Sequence, residues 1–328
     1  MIRSILLKTV VVISVIVVVL SVLSLIHDLT YWYAKILDFP RTQYLILSVI
    51  CLGLFTILNR KWNSTSYIIA AGLIVAISIH SVKIAPYFFG EKVVPEVSLV
   101  DSNSKSSVEI LIVNVLMTNK NAAKLKEIID EHQPDMVLAM EVNSWWVEQL
   151  DEIDYPFTMS HPLDNAYGMV LYSRLPLSES EVKFFRHQDV PSLHTVVELR
   201  SGEKIKFHGV HPVAPFPSEK YPDNVGLEEV ALSKVGNLVE ADTLPSIVAG
   251  DFNDVSWSKS TRFFEKSGNL KNVRLGRGLY NSFSAQSFFM RWPLDHFFVT
   301  EDFGAVKIER LPKFGSDHFP VIAELVLQ

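Results

Sequence analysis

One cysteine occurs in 328 residues, Cys51. A lone thiol excludes an intrachain disulfide and a cysteine-based zinc site. It is compatible with an oxidising compartment without demonstrating one. Positive charge is scarce where a nucleic-acid binder would need it. Residues 97–328 carry 22 Lys and Arg against 32 Asp and Glu, a balance of −10. A domain that acidic lacks the broad basic footprint required by a phosphate backbone, so nucleic acid is the less favoured partner. Internal repeats and long low-complexity runs are also missing.

Charge is nearly absent from three stretches. Hydrophobic residues make up 48% of the chain, and the excess sits at the N-terminus. Residues 5–26 are apolar apart from Lys8, residues 43–58 form a second run, and residues 66–82 a third with His80 as its only ionisable group. A bilayer span takes about 20 apolar residues, with about 17 at the lower end, so the second run is the short one. The first run is too long for the apolar core of a signal peptide, and no small-residue cleavage site precedes His27. Three membrane helices in residues 1–90 are the expectation. Basic residues in short loops set orientation. Arg3 and Lys8 flank the first run and Arg60 and Lys61 fill the second loop, which puts both in the cytoplasm. Everything beyond residue 86 is then extracytoplasmic; Lys83 opposes this mildly. Residues 91–107 read as a linker, and residues 108–328 as the soluble domain.

The most informative stretch of that domain is Ile247-Val248-Ala249-Gly250-Asp251-Phe252-Asn253. It reads as a buried strand that runs into a glycine turn carrying two oxygen ligands. Such ligands at a rigid strand end suit a hard divalent cation, although Asp and Asn also favour ordinary turns. The same pattern recurs. Strands at 108–113, 136–140 and 204–210 end in Asn114, Glu141 and His211; another begins at Asp295; Asp317 and His318 precede the last, 321–327. Further strands are expected at 168–173, 182–185 and 194–199. Helices are expected at 122–132, capped by Asn121, at 226–240 and after Ser260. Singly, each polar terminus could be a solvated turn. Six apolar strands all ending in Asn, Asp, Glu or His point to a shared site.

These residues resemble the endonuclease/exonuclease/phosphatase superfamily, the metal-dependent phosphoesterases that include DNase I, apurinic endonucleases, sphingomyelinases and inositol-phosphate 5-phosphatases. The resemblance covers roughly 108–328. Its motifs are Asn114, the Glu141 strand end, Tyr172-Ser173-Arg174-x-Pro176, Val210-His211, Gly250-Asp251-Phe252-Asn253, Leu294-Asp295-His296 and Ser316-Asp317-His318-Phe319-Pro320. It implies an α/β four-layer sandwich of two packed mixed sheets flanked by helices. It implies Mg²⁺, with Mn²⁺ as substitute, on Glu141 with Asn114 close by and Asp251 and Asp317 assisting. Asp251 and Asn253 would orient the attacking water and contact the phosphate. His318, oriented by Asp295, and His211 would face the phosphoryl oxygens. The general base is left open. Arg174 and Arg291 are candidate phosphate contacts.

Three departures stand out. Leu116 occupies the place where apurinic endonucleases carry an acid, His296 stands where Tyr is common, and Phe283 lies where Trp is common. The three N-terminal spans resemble bacterial membrane-anchored members, including the teicoplanin-resistance group thought to act on undecaprenyl pyrophosphate. The implied partners are a lipid bilayer and a phosphorylated, lipid-linked substrate, without an obligate protein partner. Phe283, Phe288, Phe289, Met290 and Trp292 read either as an apolar lip or as an inward-packed strand and loop. The competing readings are an extracytoplasmic nuclease and a non-enzymatic scaffold.

Overall fold

A computed structural model describes residues 1–26, 31–98, 104–224 and 230–328. Three helices are long and apolar enough to cross a membrane: α1 (Ile2–Leu23), α3 (Arg41–Leu58) and α4 (Ser64–Phe89). They run past the expected limits at several ends, most of all α4, which continues seven residues beyond 82. A short helix, α2 (Trp32–Lys35), precedes α3. His27 and Asp28 of the first loop lie outside the described residues, as does 225–229, which holds the start of the expected 226–240 helix.

The rest is built from twelve strands and four helices. In chain order these are β1 (Ser107–Asn114), α5 (Ala122–His132), β2 (Met136–Met140), α6 (Ser144–Leu150), β3 (Phe157–His161), β4 (Met169–Ser173), β5 (Leu177–Phe184), β6 (Pro191–Glu198), β7 (Lys204–Val210), α7 (Ala231–Ala241), β8 (Ser246–Asp251), α8 (Lys259–Ser267), β9 (Lys271–Asn272), β10 (Asp295–Val299), β11 (Phe303–Arg310) and β12 (Val321–Leu327). One sheet has the order β11-β12-β1-β2-β4-β3 and the other β5-β6-β7-β8-β10-β9. Only β1–β2 and β7–β8 pair in parallel; every other pairing is antiparallel.

Alternation along each central strand explains the layers. Ile110 and Ile112 of β1, Leu138 of β2, Phe207 of β7, Ile247 of β8 and Phe297 of β10 share the core between the sheets. Their neighbours point the other way. Leu111, Val113 and Val137 pack under α5 and α6, and Val248 and Phe298 under α7 and α8. The result is the expected helix–sheet–sheet–helix sandwich. β3, α6, β9 and β11 were not expected. β3 alternates only weakly, with one buried residue in five, which is why its pattern is faint in the sequence.

Residues 94–98 are not a free tether. Val94 is buried, Val97 N donates to Ala305 O and Ala305 N to Pro95 O, so the segment is laid along β11. Residues 99–103 of the expected linker lie outside the described residues.

Candidate active site

The parallel neighbours β1 and β2 end at the same edge, as do β7 and β8, while β10 begins there because it runs antiparallel to β8. That geometry gathers Asn114, Glu141, His211, Asp251 and Asp295, and the loop before β12 adds Asp317 and His318. Gly250 makes the approach possible. Its φ is +145°, and a Cβ there would stand 2.0 Å from Val210 O on β7. Leu116, Glu141 and Asn253 all have left-handed backbones, with φ of 56°, 60° and 51°. For non-glycine residues this costs on the order of 1–3 kcal/mol each, and such strain clusters at working sites.

The hydrogen bonds define roles. Asn114 Nδ2 donates to Glu141 Oε1 at 2.9 Å and to Asp251 Oδ2 at 3.0 Å. Its Oδ1 accepts from Leu116 N at 3.0 Å, which fixes the amide orientation. Asn114 thus bridges the two carboxylates through its Nδ2, with its Oδ1 held by Leu116 N. Asp251 Oδ1 accepts from Asn253 N at 2.8 Å, and Asn253 Nδ2 donates to Pro212 O at 3.0 Å, tying the β8 turn to the loop after His211. His318 Nδ1 bonds Asp295 Oδ2 at 2.7 Å, and its Nε2 lies 3.5 Å from Asp251 Oδ2. His211 Nε2 lies 3.7 Å from the same oxygen, with its ring against Tyr167.

The electrostatics follow from burial and pairing. Burial opposes charge on His318, but Asp295 and Asp251 on either side override it and push the imidazole up to about 10. The same cation, with its hydrogen bond, holds Asp295 below the usual carboxylate range against the opposing effect of burial. His211 is buried beside the positive His318 and falls to about 3, so it is neutral. Burial lifts Asp251 to about 7 and raises Glu141, where Asp317 adds to the effect against the lowering influence of Asn114 and His318.

A divalent cation fits this donor set. Glu141 and Asp251 are desolvated carboxylates, and Asp295 Oδ1 is buried without a partner. Asp251, Asp295 and His318 offer ligand atoms all within 4.8 Å of one another. Such a group can hold a metal ion, but the His318 proton shared with Asp295 favours the hard oxygens around Glu141 for that task.

A model of the endonuclease/exonuclease/phosphatase family matches residues 111–318, which is more than half of the chain. The chain belongs to that family. Among solved structures, the human Nocturnin catalytic domain with bound sulfate is 17% identical, with a TM-score of 0.55 over 68% of this chain and 96% of that one. D. rerio TDP2 complexed with a single-strand DNA product is 16% identical, with a TM-score of 0.54 over 67% and 99%. An endonuclease/exonuclease/phosphatase family protein of Bacteroides thetaiotaomicron is 18% identical, with a TM-score of 0.52 over 68% and 95%. At these identities the likeness speaks for the fold. No curated protein sequence matches the chain. Members of the family are phosphoester hydrolases that depend on a divalent metal, so this chain is a hydrolase of that kind by fold and family.

Of the two arginine candidates, Arg174 lies at the far edge of its sheet. Arg174 follows β4, whose Ser173 pairs with Met136, at the end of β2 opposite Glu141. Its guanidinium caps Gln133 and covers the Tyr155 ring, so it is structural. Arg291 Nε donates to Ser287 O, and its guanidinium covers Phe319.

Four supporting residues escaped the sequence reading. Arg274, fully buried, donates to Asp295 O and bonds His296 Nδ1. His296 in turn contacts Asp254 O at 2.8 Å, which accounts for an imidazole at that position. Ser282 Oγ accepts from Asp295 N. Ser316 Oγ donates to Asn114 O and accepts from His318 N. Met140 Sδ accepts from Asp251 N. Ser316 opens a recognised motif but was given no role in it; the other three have no local signal, because each acts on a residue distant in sequence.

Proposed function

We propose that this chain is a membrane-anchored, divalent-metal-dependent phosphoesterase that hydrolyses a lipid-linked phosphate ester or pyrophosphate, with undecaprenyl pyrophosphate the representative substrate. The observation that carries this reading is that the loops bearing catalytic residues also bear the contacts with the apolar helices. In the loop after Asp251, Val255 and Trp257 pack with Phe39, Ile84 and Tyr87, joined by Leu294 just before Asp295. Trp257 Nε1 donates to Asp38 O at 2.7 Å. In the loop after His211, Phe216 meets Trp32. A water-soluble substrate needs no such placement; an amphiphile held in a bilayer does.

The aromatic run before Asp295 divides in two. Phe283 and Trp292 stack inward, with Trp292 against Phe39. Phe288, Phe289 and Met290 protrude, 78%, 77% and 49% exposed, and Gln43 at the start of α3 holds Phe289 O at 2.7 Å. Three neighbouring exposed apolar side chains tied to a helix that can cross a membrane suit an interface with lipid.

The chemistry is in-line attack of water on phosphorus. The new P–O bond forms as the bond to the leaving group breaks. His318, protonated and locked by Asp295, donates its Nε2–H to a phosphoryl oxygen, and neutral His211 supplies a second N–H. Asp251, between both imidazoles and poised near neutrality, takes the proton from water. Asn253 positions that water from its left-handed turn. A divalent cation, held by Glu141 with Asp251 and Asp317 nearby, would neutralise charge on the phosphoryl oxygens. Basic residues at the start of α1 and in the loop before α4 support an extracytoplasmic catalytic domain on a bacterial cell membrane.

The test is phosphate release from an isoprenyl pyrophosphate in detergent by the full chain, with Mg²⁺ or EDTA, beside nicking of plasmid DNA. Mg²⁺-dependent release without nicking is expected. Nicking without release would replace this reading with a nuclease.

A further inference from the structure

Away from the catalytic cluster, α4 and α8 border a second cavity of about 660 Å³. α8 turns Thr261 and Phe264 into the protein, and Phe264 packs with the core under the second sheet. Its other side carries Lys259, Arg262 and Lys266, spaced i, i+3 and i+7, so all three share one stripe. All three line the cavity, and Lys83, in the last two turns of α4, lines it from the opposite side. Arg262 is within electrostatic reach of Lys83. One lining carboxylate, Glu265, accompanies these four cations, and Phe263 stands beside them 59% exposed.

This concentration runs against the domain's composition. In a domain with a balance of −10, α8 turns Arg262 and Lys266 toward Lys83 of an apolar helix, with Glu265 as the lining carboxylate. Like charges on neighbouring turns repel, so an anion held among Lys83, Arg262 and Lys266 would relieve the arrangement. The helix on the Lys83 side indicates which anion. α4 exposes Val82 at 74% and Phe88 at 53% on either side of Lys83 and Tyr87, so the helix that bears Lys83 also carries exposed apolar side chains. An anionic head with hydrocarbon attached matches both parts.

We propose that the α4–α8 cavity binds the phosphate headgroup of an anionic phospholipid. The headgroup sits among Lys83, Arg262 and Lys266, Phe263 lies at the level of the glycerol, and the acyl chains run along α4. Bound lipid then fixes the catalytic domain's tilt on its helices beside Trp257, which also lines the cavity. The inference rests on the proposed membrane anchoring and is independent of which ester is cleaved.

The test uses the full chain in detergent with equal amounts of phosphatidylglycerol and phosphatidylcholine, followed by gel filtration and quantification of the lipid that co-elutes. Wild type is expected to retain phosphatidylglycerol preferentially. R262Q/K266Q should retain it roughly tenfold less, as loss of two contacts of this kind implies. R262K/K266R should behave as wild type, and so should K183Q/K204Q, which removes the same charge from β5 and β7. Equal retention of the two lipids by wild type overturns the proposal. So does unchanged retention in R262Q/K266Q, or an equal loss in K183Q/K204Q, since bulk charge would then suffice. Full displacement of the lipid by millimolar inorganic phosphate also overturns it in favour of a free-anion site. Phosphate release is measured in parallel: equal retention of the two lipids by wild type with hydrolysis intact counts against this inference alone. A chain extractable from membranes without detergent removes the anchoring and this inference together.

Discussion

The molecule buries two charged clusters, and they are built differently. At the top of the helices, Arg41 is fully buried and each of its contacts is answered: Asp38 by a salt bridge, Ser24 O at 2.9 Å, and His80 Nδ1 at 3.5 Å, with His80 Nε2 reaching Ser21 Oγ at 2.8 Å. At the sandwich edge, Asp295 Oδ1 and His211 Nδ1 are buried without partners, and Glu141 keeps an exposed edge. The first cluster is closed and balanced. The second has carboxylates in excess and buried polar atoms without partners. Burial of charge therefore does not mark chemistry by itself; unsatisfied, converging charge does.

The difference can be broken first at the open cluster. His318→Ala and Glu141→Gln should each lower phosphate release by on the order of 10³-fold, as loss of a transition-state donor or of the cation's main ligand does. Glu141→Gln should leave the thermal midpoint in EDTA nearly unchanged, whereas His318→Ala strips buried Asp295 of its partner and should lower it as well; a fully active H318A would end the site assignment. The closed cluster should respond the other way round. Asp38→Asn leaves Arg41 buried and uncompensated, at a cost of about 3–5 kcal/mol, read as a lower unfolding midpoint in detergent. The double variant Asp38→Leu/Arg41→Met should recover much of that loss, and a double variant as unstable as the single would show that Asp38 acts by something other than charge balance.

A third buried pair sharpens the contrast through pH. His194 Nδ1 and His208 Nδ1 lie 2.6 Å apart across β6 and β7. Burial lowers His208 to about 4 and His194 to about 2, the latter helped by the neighbouring His208. Both are neutral in the fold and take up protons near pH 6.5 once unfolded. Stability should therefore be fully present above pH 6.5 and fall as pH drops toward 4, by about 3 kcal/mol from His208. Urea midpoints at pH 7 and pH 4.5 should differ more in wild type than in His208→Gln; equal differences would refute the assignment. The smallest effect expected is that of the metal. Mg²⁺ at 100 times its dissociation constant should stabilise the chain by about 2.7 kcal/mol over EDTA, a shift that Glu141→Gln should lack.

Much of this was legible in the chain. Period-two alternation marked the central strands, and polar residues at their ends marked Asn114, Glu141, His211, Asp251, Asp295 and His318, because strand direction and side-chain alternation are local properties. The long apolar runs were equally plain. Arg174 misled because its motif is local while its position is not: β4 runs antiparallel to β2, so its end lies at the far edge. Asn114 was legible as a site residue but not as a bridge between carboxylates, since the Leu116 N–H that turns its amide is set by a left-handed turn.

Sequence alone determined which segments are apolar enough for a bilayer, which strands are buried on both faces, and which polar side chains stand at strand ends. Tertiary structure decided how the pieces meet. Arg274 reaches back to hold Asp295, Trp257 reaches Asp38 across more than two hundred residues, and the edge that gathers the polar strand ends is the edge that rests on the apolar helices. Those facts depend on strand order and on packing between distant segments, and a pattern repeating every two or every 3.6 residues carries no information about either.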